Sequence, residues 1–170
     1  MFKKARPLKD PSDYDHGYQY ALFLLNLSMR TVGEVRDKMT SRGYTSTVIN
    51  EVINNLLQEK YLNDSNYAEV FINSMKNYKT WGRFMMKKKM YEKKLPKELI
   101  DESLNEFLST KEEKEIAMRY LSSMSSSVER SENRGSIEWI KSLPYDEKQK
   151  LMRKLLSRGF GMDIVTKLIK

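Results

Sequence analysis

Six apolar positions recur three times along this chain. Val35, Met39, Tyr44, Val48, Ile49 and Ile53 return at a constant offset as Met86, Met90, Leu95, Leu99, Ile100 and Leu104, then as Leu151, Leu155, Phe160, Ile164, Val165 and Ile169. Arg42-Gly43-Tyr44 also returns as Arg158-Gly159-Phe160. Self-similarity on this scale marks a supersecondary unit too small to bury its apolar face alone, so the copies must stack.

The units read as helical. Tyr20, Phe23, Leu24 and Leu27 recur at helical spacing; Thr31 and Glu34 form a capping box that opens a second helix carrying Val32, Val35 and Met39; Gly43 ends it. Val48, Val52 and Leu56 beside Ile49, Ile53 and Leu57 give a third helix a broad apolar face. In the second copy, Asp64 is read as the N-cap of a helix through Tyr67, Ala68, Phe71 and Ile72. In the third, Thr110 with Glu113 is read as a capping box before Ile116, Ala117, Tyr120 and Leu121. Pro96 and Pro144 suit helix starts. The expected organisation is an N-terminal arm over 1–16, three-helix repeats over 17–62, 63–108 and 109–170, and a Ser-rich loop near 122–136 within the last.

Composition agrees with helices: 39% hydrophobic and 32% charged residues with only 7 Gly and 4 Pro. No cysteine is present, which removes disulfides, thiolate nucleophiles and cysteine metal sites. His16, the single histidine, has no second histidine for acid–base or metal chemistry. Phosphate-loop, HExxH and GxSxG patterns are missing, so no catalytic residue, metal or cofactor is assigned. The opening MFKKARPLKD is charged and without a signal-like apolar run, and no stretch reads as membrane-spanning, so a cytoplasmic protein is expected.

The parts ALFLLNLSMRTVGEVRDKM, RGY, VINNLLQEKYLNDSNYAEVFI, WGRFMMKKKMYEKKL and KLLSRGFGMDIV, in this order and spacing, resemble the bacterial RecX proteins, regulators of the RecA recombinase. The resemblance covers residues 17 to 170. It departs at two turns, where Lys60 and Lys94 stand in place of a typical glycine. It implies an all-α, elongated and curved array of three tandem three-helix repeats. It also implies a non-enzymatic, cytoplasmic negative modulator that binds the RecA–DNA filament and inhibits ATP hydrolysis and strand exchange in recombination and DNA repair.

The net charge of +8 is concentrated: Lys76 to Lys97 holds nine basic residues against Glu92 alone, and the remainder is balanced. If Met86 and Met90 face the core as Val35 and Met39 do, the helix turn places Phe84, Lys88 and Tyr91 on the opposite face. The corresponding face carries Gly33, Asp37 and Thr40 in the first copy and Gln149, Arg153 and Leu156 in the third. Rings beside cations stack on bases while the cations neutralise phosphates. Trp81, Arg83, Phe84, Lys87, Lys88, Lys89, Tyr91 and Lys94 are therefore the candidate filament or nucleic-acid contacts, with Arg36 and Lys38 as secondary ones. The competing reading packs the rings on a neighbouring repeat and leaves the lysines solvated. A direct DNA-binding protein of helix-turn-helix type is the alternative function. Expected partners are RecA and its DNA filament, with weak sequence-independent DNA binding, no membrane, and a monomeric chain.

Overall fold

The computed structural model describes residues 8–124 and 137–169. Among them the chain is all-α, with ten helices and no strand. They are α1 (Tyr14–Leu27), α2 (Val32–Arg42), α3 (Ser46–Gln58), α4 (Asp64–Tyr78), α5 (Arg83–Glu92), α6 (Lys97–Phe107), α7 (Thr110–Ser123), α8 (Ile137–Ser142), α9 (Tyr145–Ser157) and α10 (Met162–Ile169). The Ser-rich stretch past Met124 lies outside the described residues, and Ser122 and Ser123 close α7.

The chain divides into two compact units, the first formed by residues up to Ala68 with Glu92–Pro96, the second by Glu69–Tyr91 with Lys97 onward. In the first unit α1, α2 and α3 enclose Ala21, Val35, Met39, Val48, Val52 and Leu56. All are nearly inaccessible to solvent. Each of these side chains larger than alanine contributes roughly 1.5–3 kcal/mol by burial. The Thr31–Glu34 capping box forms as read from the sequence.

Asp64 acts differently from expectation. Asn63 caps α4, its Oδ1 accepting the Asn66 N–H at 3.0 Å, while Asp64 Oδ1 takes the Val32 N–H at 2.9 Å. Asp64 thus satisfies the first free amide of α2, and its burial raises the carboxyl pKa despite that bond. The first helix also starts earlier than Gly17, because Asp13 accepts the His16 N–H and caps it. His16 has a structural partner: its Nδ1 lies 2.6 Å from the Tyr44 hydroxyl.

In the second unit the buried set includes Ile72, Met86, Met90, Ile100, Ile140 and Phe160. α7 and α8 both pack on α10, and α9 packs beside it. The sequence reading did not name α8, whose Ile140 is fully buried. The capping box of α7 sits one residue earlier than expected, on Ser109 and Glu112. That frees Glu113 to turn inward.

The helices that correspond in the repeat register, α2, α5 and α9, are each followed by a left-handed residue: Gly43 at φ 103°, Lys94 at φ 62° and Gly159 at φ 83°. Lys60 does the same at φ 61° after α3. Both departures from glycine thus keep the left-handed backbone at a steric cost that glycine avoids.

Candidate nucleic-acid interface

α5 is phased by its two methionines. Met86 and Met90 are fully buried, and Phe84, Lys88 and Tyr91 emerge on the other side, Phe84 62% and Tyr91 40% exposed. This is the phase that the repeat register requires.

The cations of this unit differ in how much of their charge is free. Arg83 is tied inward: its guanidinium donates to Asn105 Oδ1 at 3.0 Å and to the Leu108 carbonyl at 2.5 Å, and its backbone N–H donates to Glu113 Oε1 at 2.8 Å. Glu113, only 5% exposed, is the acid this arrangement satisfies. Burial pushes its carboxyl pKa up, with the Arg83 bonds opposing. Lys87 pairs with Asp101, which raises the lysine pKa, and its ammonium also sits 5.9 Å from the Tyr91 ring centroid. Lys76 bridges Glu112 and the Phe107 carbonyl, both at 2.8 Å. Lys88 is exposed, and Lys89 is half-buried.

Trp81 is half-buried, with Lys79 Nζ 6.0 Å from its ring centroid. Two residues absent from the sequence-based site extend this cluster. Tyr78 is 80% exposed, and exposed Arg119 donates to the Lys79 carbonyl at 3.1 Å. The alternation of ring and cation in Tyr78-Lys79-Thr80-Trp81 was the available signal for Tyr78; Arg119 is distant in sequence and had none.

Lys94, Arg36 and Lys38 belong to the first unit. Lys94 Nζ is 3.6 Å from Asp37, and Arg36 donates to Asn50 Oδ1 at 2.7 Å. Lys38 is exposed. In the same unit Lys93 bridges Glu34 at 2.8 Å.

Chemically, the α5 face offers two open rings around the exposed Lys88 ammonium, with a second ammonium pinned beside Tyr91. Such a face can stack on planar groups and neutralise phosphates, and no acid–base pair converges on it among the described residues. No group of three or more metal-ligating side chains occurs among the described residues, and none of their helices is long and apolar enough to cross a membrane.

Three segments of the chain match models of a known family. Models of the first, second and third three-helix domains of RecX match residues 18–56, 63–104 and 139–169. Regulatory protein RecX of Streptococcus sanguinis strain SK36 is 30% identical over 114 residues, covering 67% of this chain and 44% of the relative. Its namesake from Streptococcus gordonii strain Challis gives the same identity and coverage. This chain thus spans less than half the length of these curated relatives. A crystal structure of RecX from Lactobacillus salivarius superposes with a TM-score of 0.78 at 25% identity, over 95% of this chain and 96% of that one. A second crystal structure, of a regulatory protein RecX, gives 0.74 at 17% identity over 91% and 72%, a likeness of fold.

Proposed function

The chain belongs to the RecX family, and we propose that it is a non-enzymatic negative modulator of RecA that binds the RecA–DNA filament and inhibits ATP hydrolysis and strand exchange in recombination and DNA repair. Its relatives are named regulatory proteins, which favours regulation over catalysis. The modules of the reading are the repeats over 17–62, 63–108 and 109–170, acting in the cytoplasm as one monomeric chain.

The observation that carries this reading is the outward α5 face. Phe84, Lys88 and Tyr91 share an exposed side of a helix whose opposite side is locked in the core by Met86 and Met90. A preformed helix presents the rings and charge without a backbone ordering cost, so more of the stacking and phosphate neutralisation is retained as affinity. Internal pairing also sets the scale of the electrostatics. Arg83 and Lys87 are engaged by Glu113 and Asp101, so this surface releases fewer counterions than its count of basic residues implies. Trp81, Lys89 and Lys79 flank the same segment. Lys94, Arg36 and Lys38 add contacts on the first unit. Many modest contacts coupled along successive protomers bias the filament away from its active state.

The test is RecA ATP hydrolysis and strand exchange on single-stranded DNA with this protein titrated in. Dose-dependent loss of both is the expected result. Unchanged activity at saturating protein, with sequence-selective binding to short duplexes lacking RecA, would replace this reading with a direct DNA-binding one.

A further inference from the structure

Of the left-handed turns at Gly43, Lys94 and Gly159, the last two carry the start of a helix. At Lys93-Lys94 the Thr31 hydroxyl, at the start of α2, donates to the Lys93 carbonyl at 2.5 Å. Gly33 leaves room there: a Cβ on it would lie 2.3 Å from the Lys94 Cβ. At Arg158-Gly159 the Gly82 and Phe84 amides, at the start of α5, donate to the Arg158 and Gly159 carbonyls at 3.0 and 2.9 Å. A Cβ on Gly82 would come within 2.4 Å of the Gly159 oxygen, and one on Gly159 within 2.2 Å of the Met85 nitrogen. In the repeat register Thr31 corresponds to Gly82 and Lys93 to Arg158. Both seats lay a glycine-bearing helix start on a carbonyl of a left-handed turn, through the Thr31 side-chain hydroxyl beside Gly33 at one and through free backbone amides at Gly82 and Phe84 at the other.

The first turn, Arg42-Gly43-Tyr44, is constructed like the third. The Tyr44 N–H bonds the Met39 carbonyl at 3.2 Å, and the Phe160 N–H bonds the Leu155 carbonyl at the same distance. The Arg42 guanidinium lies 5.9 Å from the Tyr20 ring, as Arg158 lies 4.8 Å from Tyr120. Its cover is different. The chain's own residues 8–13 cross it, with the Thr45 N–H donating to the Pro11 carbonyl at 3.0 Å. Leu8 Cδ1, at 3.8 Å, is the one described heavy atom outside the neighbouring residues within 4 Å of a Gly43 Cβ position. A cleft of about 280 Å³ lies along this strap, bordered by Leu8, Lys9, Asp10, Asp13, His16 and Arg42. Arg42 Nε is buried without a hydrogen-bond partner among the described residues. Among the described residues the third turn is sealed by close backbone contact, and the first is covered loosely.

We propose that the Arg42-Gly43-Tyr44 turn is a docking site for the glycine-bearing first turn of a helix from a further three-helix repeat outside this chain, and that residues 8–13 are a displaceable strap over it. The strap holds the site by being tethered to it, so a free ligand competes against a high local concentration.

The probe is a synthetic peptide of this chain's residues 78–92, which carries the Gly82 helix start that the third turn accepts. It is titrated into the full chain and into a chain lacking residues 1–12, with the Tyr44 and Thr45 amides followed by NMR. The peptide is expected to shift both amides in the strapless chain, with affinity for the full chain at least about fivefold weaker. A Gly82→Val peptide should shift neither. Equal binding to both chains, equal binding of the two peptides, or no shift in the strapless chain would overturn the proposal. Should the strapless chain fail to fold, Leu8→Glu in the full chain, which loosens the strap, is read by the same criteria.

Discussion

The Phe84 amide donates to the Gly159 carbonyl at 2.9 Å, so the residue that opens the exposed α5 face is fixed at its backbone by the turn between α9 and α10. Its ring is left in solvent while its main chain is held. Gly82 makes the approach possible, because a Cβ there would meet the Gly159 oxygen at 2.4 Å. Gly82→Ala should therefore lower stability by about 2 kcal/mol through overpacking against backbone that cannot move aside. Urea denaturation reads this directly, and a midpoint unchanged from the parent chain would contradict it.

Lys88 and Arg83 should separate binding from stability. Lys88→Gln removes an exposed ammonium and should weaken filament or DNA binding and flatten its salt dependence while leaving the melting temperature in place. Arg83→Gln removes the guanidinium's bonds to Asn105 and the Leu108 carbonyl and its 3.7 Å ion pair with Glu113, while the backbone bond to Glu113 stays, and should cost about 1–3 kcal/mol of stability. Thermal melts alongside salt-series binding check the pair; equal loss of stability in both variants would refute the distinction.

Two adjacent acids should give pH effects of opposite sign. Glu112 is held down to about 2, first by Lys76 and then by Ser109. Its folded pKa lies below its unfolded value, so its contribution is complete above about 4.5 and is lost as pH falls toward about 2. Partial exposure of the pair keeps that contribution under ~1 kcal/mol. Burial raises Glu113 above 4.5, so stability gains as pH falls through its folded pKa toward 4.5. In urea unfolding across pH 2 to 7, Glu112→Gln should flatten the acid loss, and Glu113→Gln should remove the gain on approaching 4.5. Same-sign changes would contradict the assignment.

Lys60→Gly should stabilise the chain by roughly 0.5–1 kcal/mol, since φ 61° costs a side-chain-bearing residue and not glycine. Lys94→Gly should gain less. Its backbone strain is the same, but its Cβ fills the space above Gly33 and its ammonium pairs with Asp37. Differential melting temperatures test the order Lys60→Gly above Lys94→Gly.

The repeat made the helices legible, because three copies of one apolar pattern fix the phase that a single weakly amphipathic helix leaves open. α5 shows this best: only its alignment with Val35 and Met39 identified Met86 and Met90 as the buried side and Phe84, Lys88 and Tyr91 as the open one. What a side chain does across the fold was not legible. Arg83 reads as one more cation in a basic run, yet its partners Asn105, Leu108 and Glu113 come from beyond its own helix. The shift from Thr110 to Ser109 as the cap of α7 was a choice between two overlapping boxes, settled by Glu113 turning inward to Arg83. Residues 8–13 carry no periodicity, so their seat on the first turn depends on contacts with Gly43 and Thr45 that only the folded chain supplies.

The most direct measurement is RecA ATP hydrolysis on single-stranded DNA titrated with the parent chain and with the combined Phe84→Ala, Lys88→Gln, Tyr91→Ala variant. None of the three side chains is buried, so the fold should persist and the comparison isolates the face. The parent should inhibit hydrolysis, and the variant should need at least about tenfold more protein for the same effect, as expected from losing two stacking rings and one phosphate contact. Equal inhibition by the two folded proteins would contradict the assignment of this face to the filament.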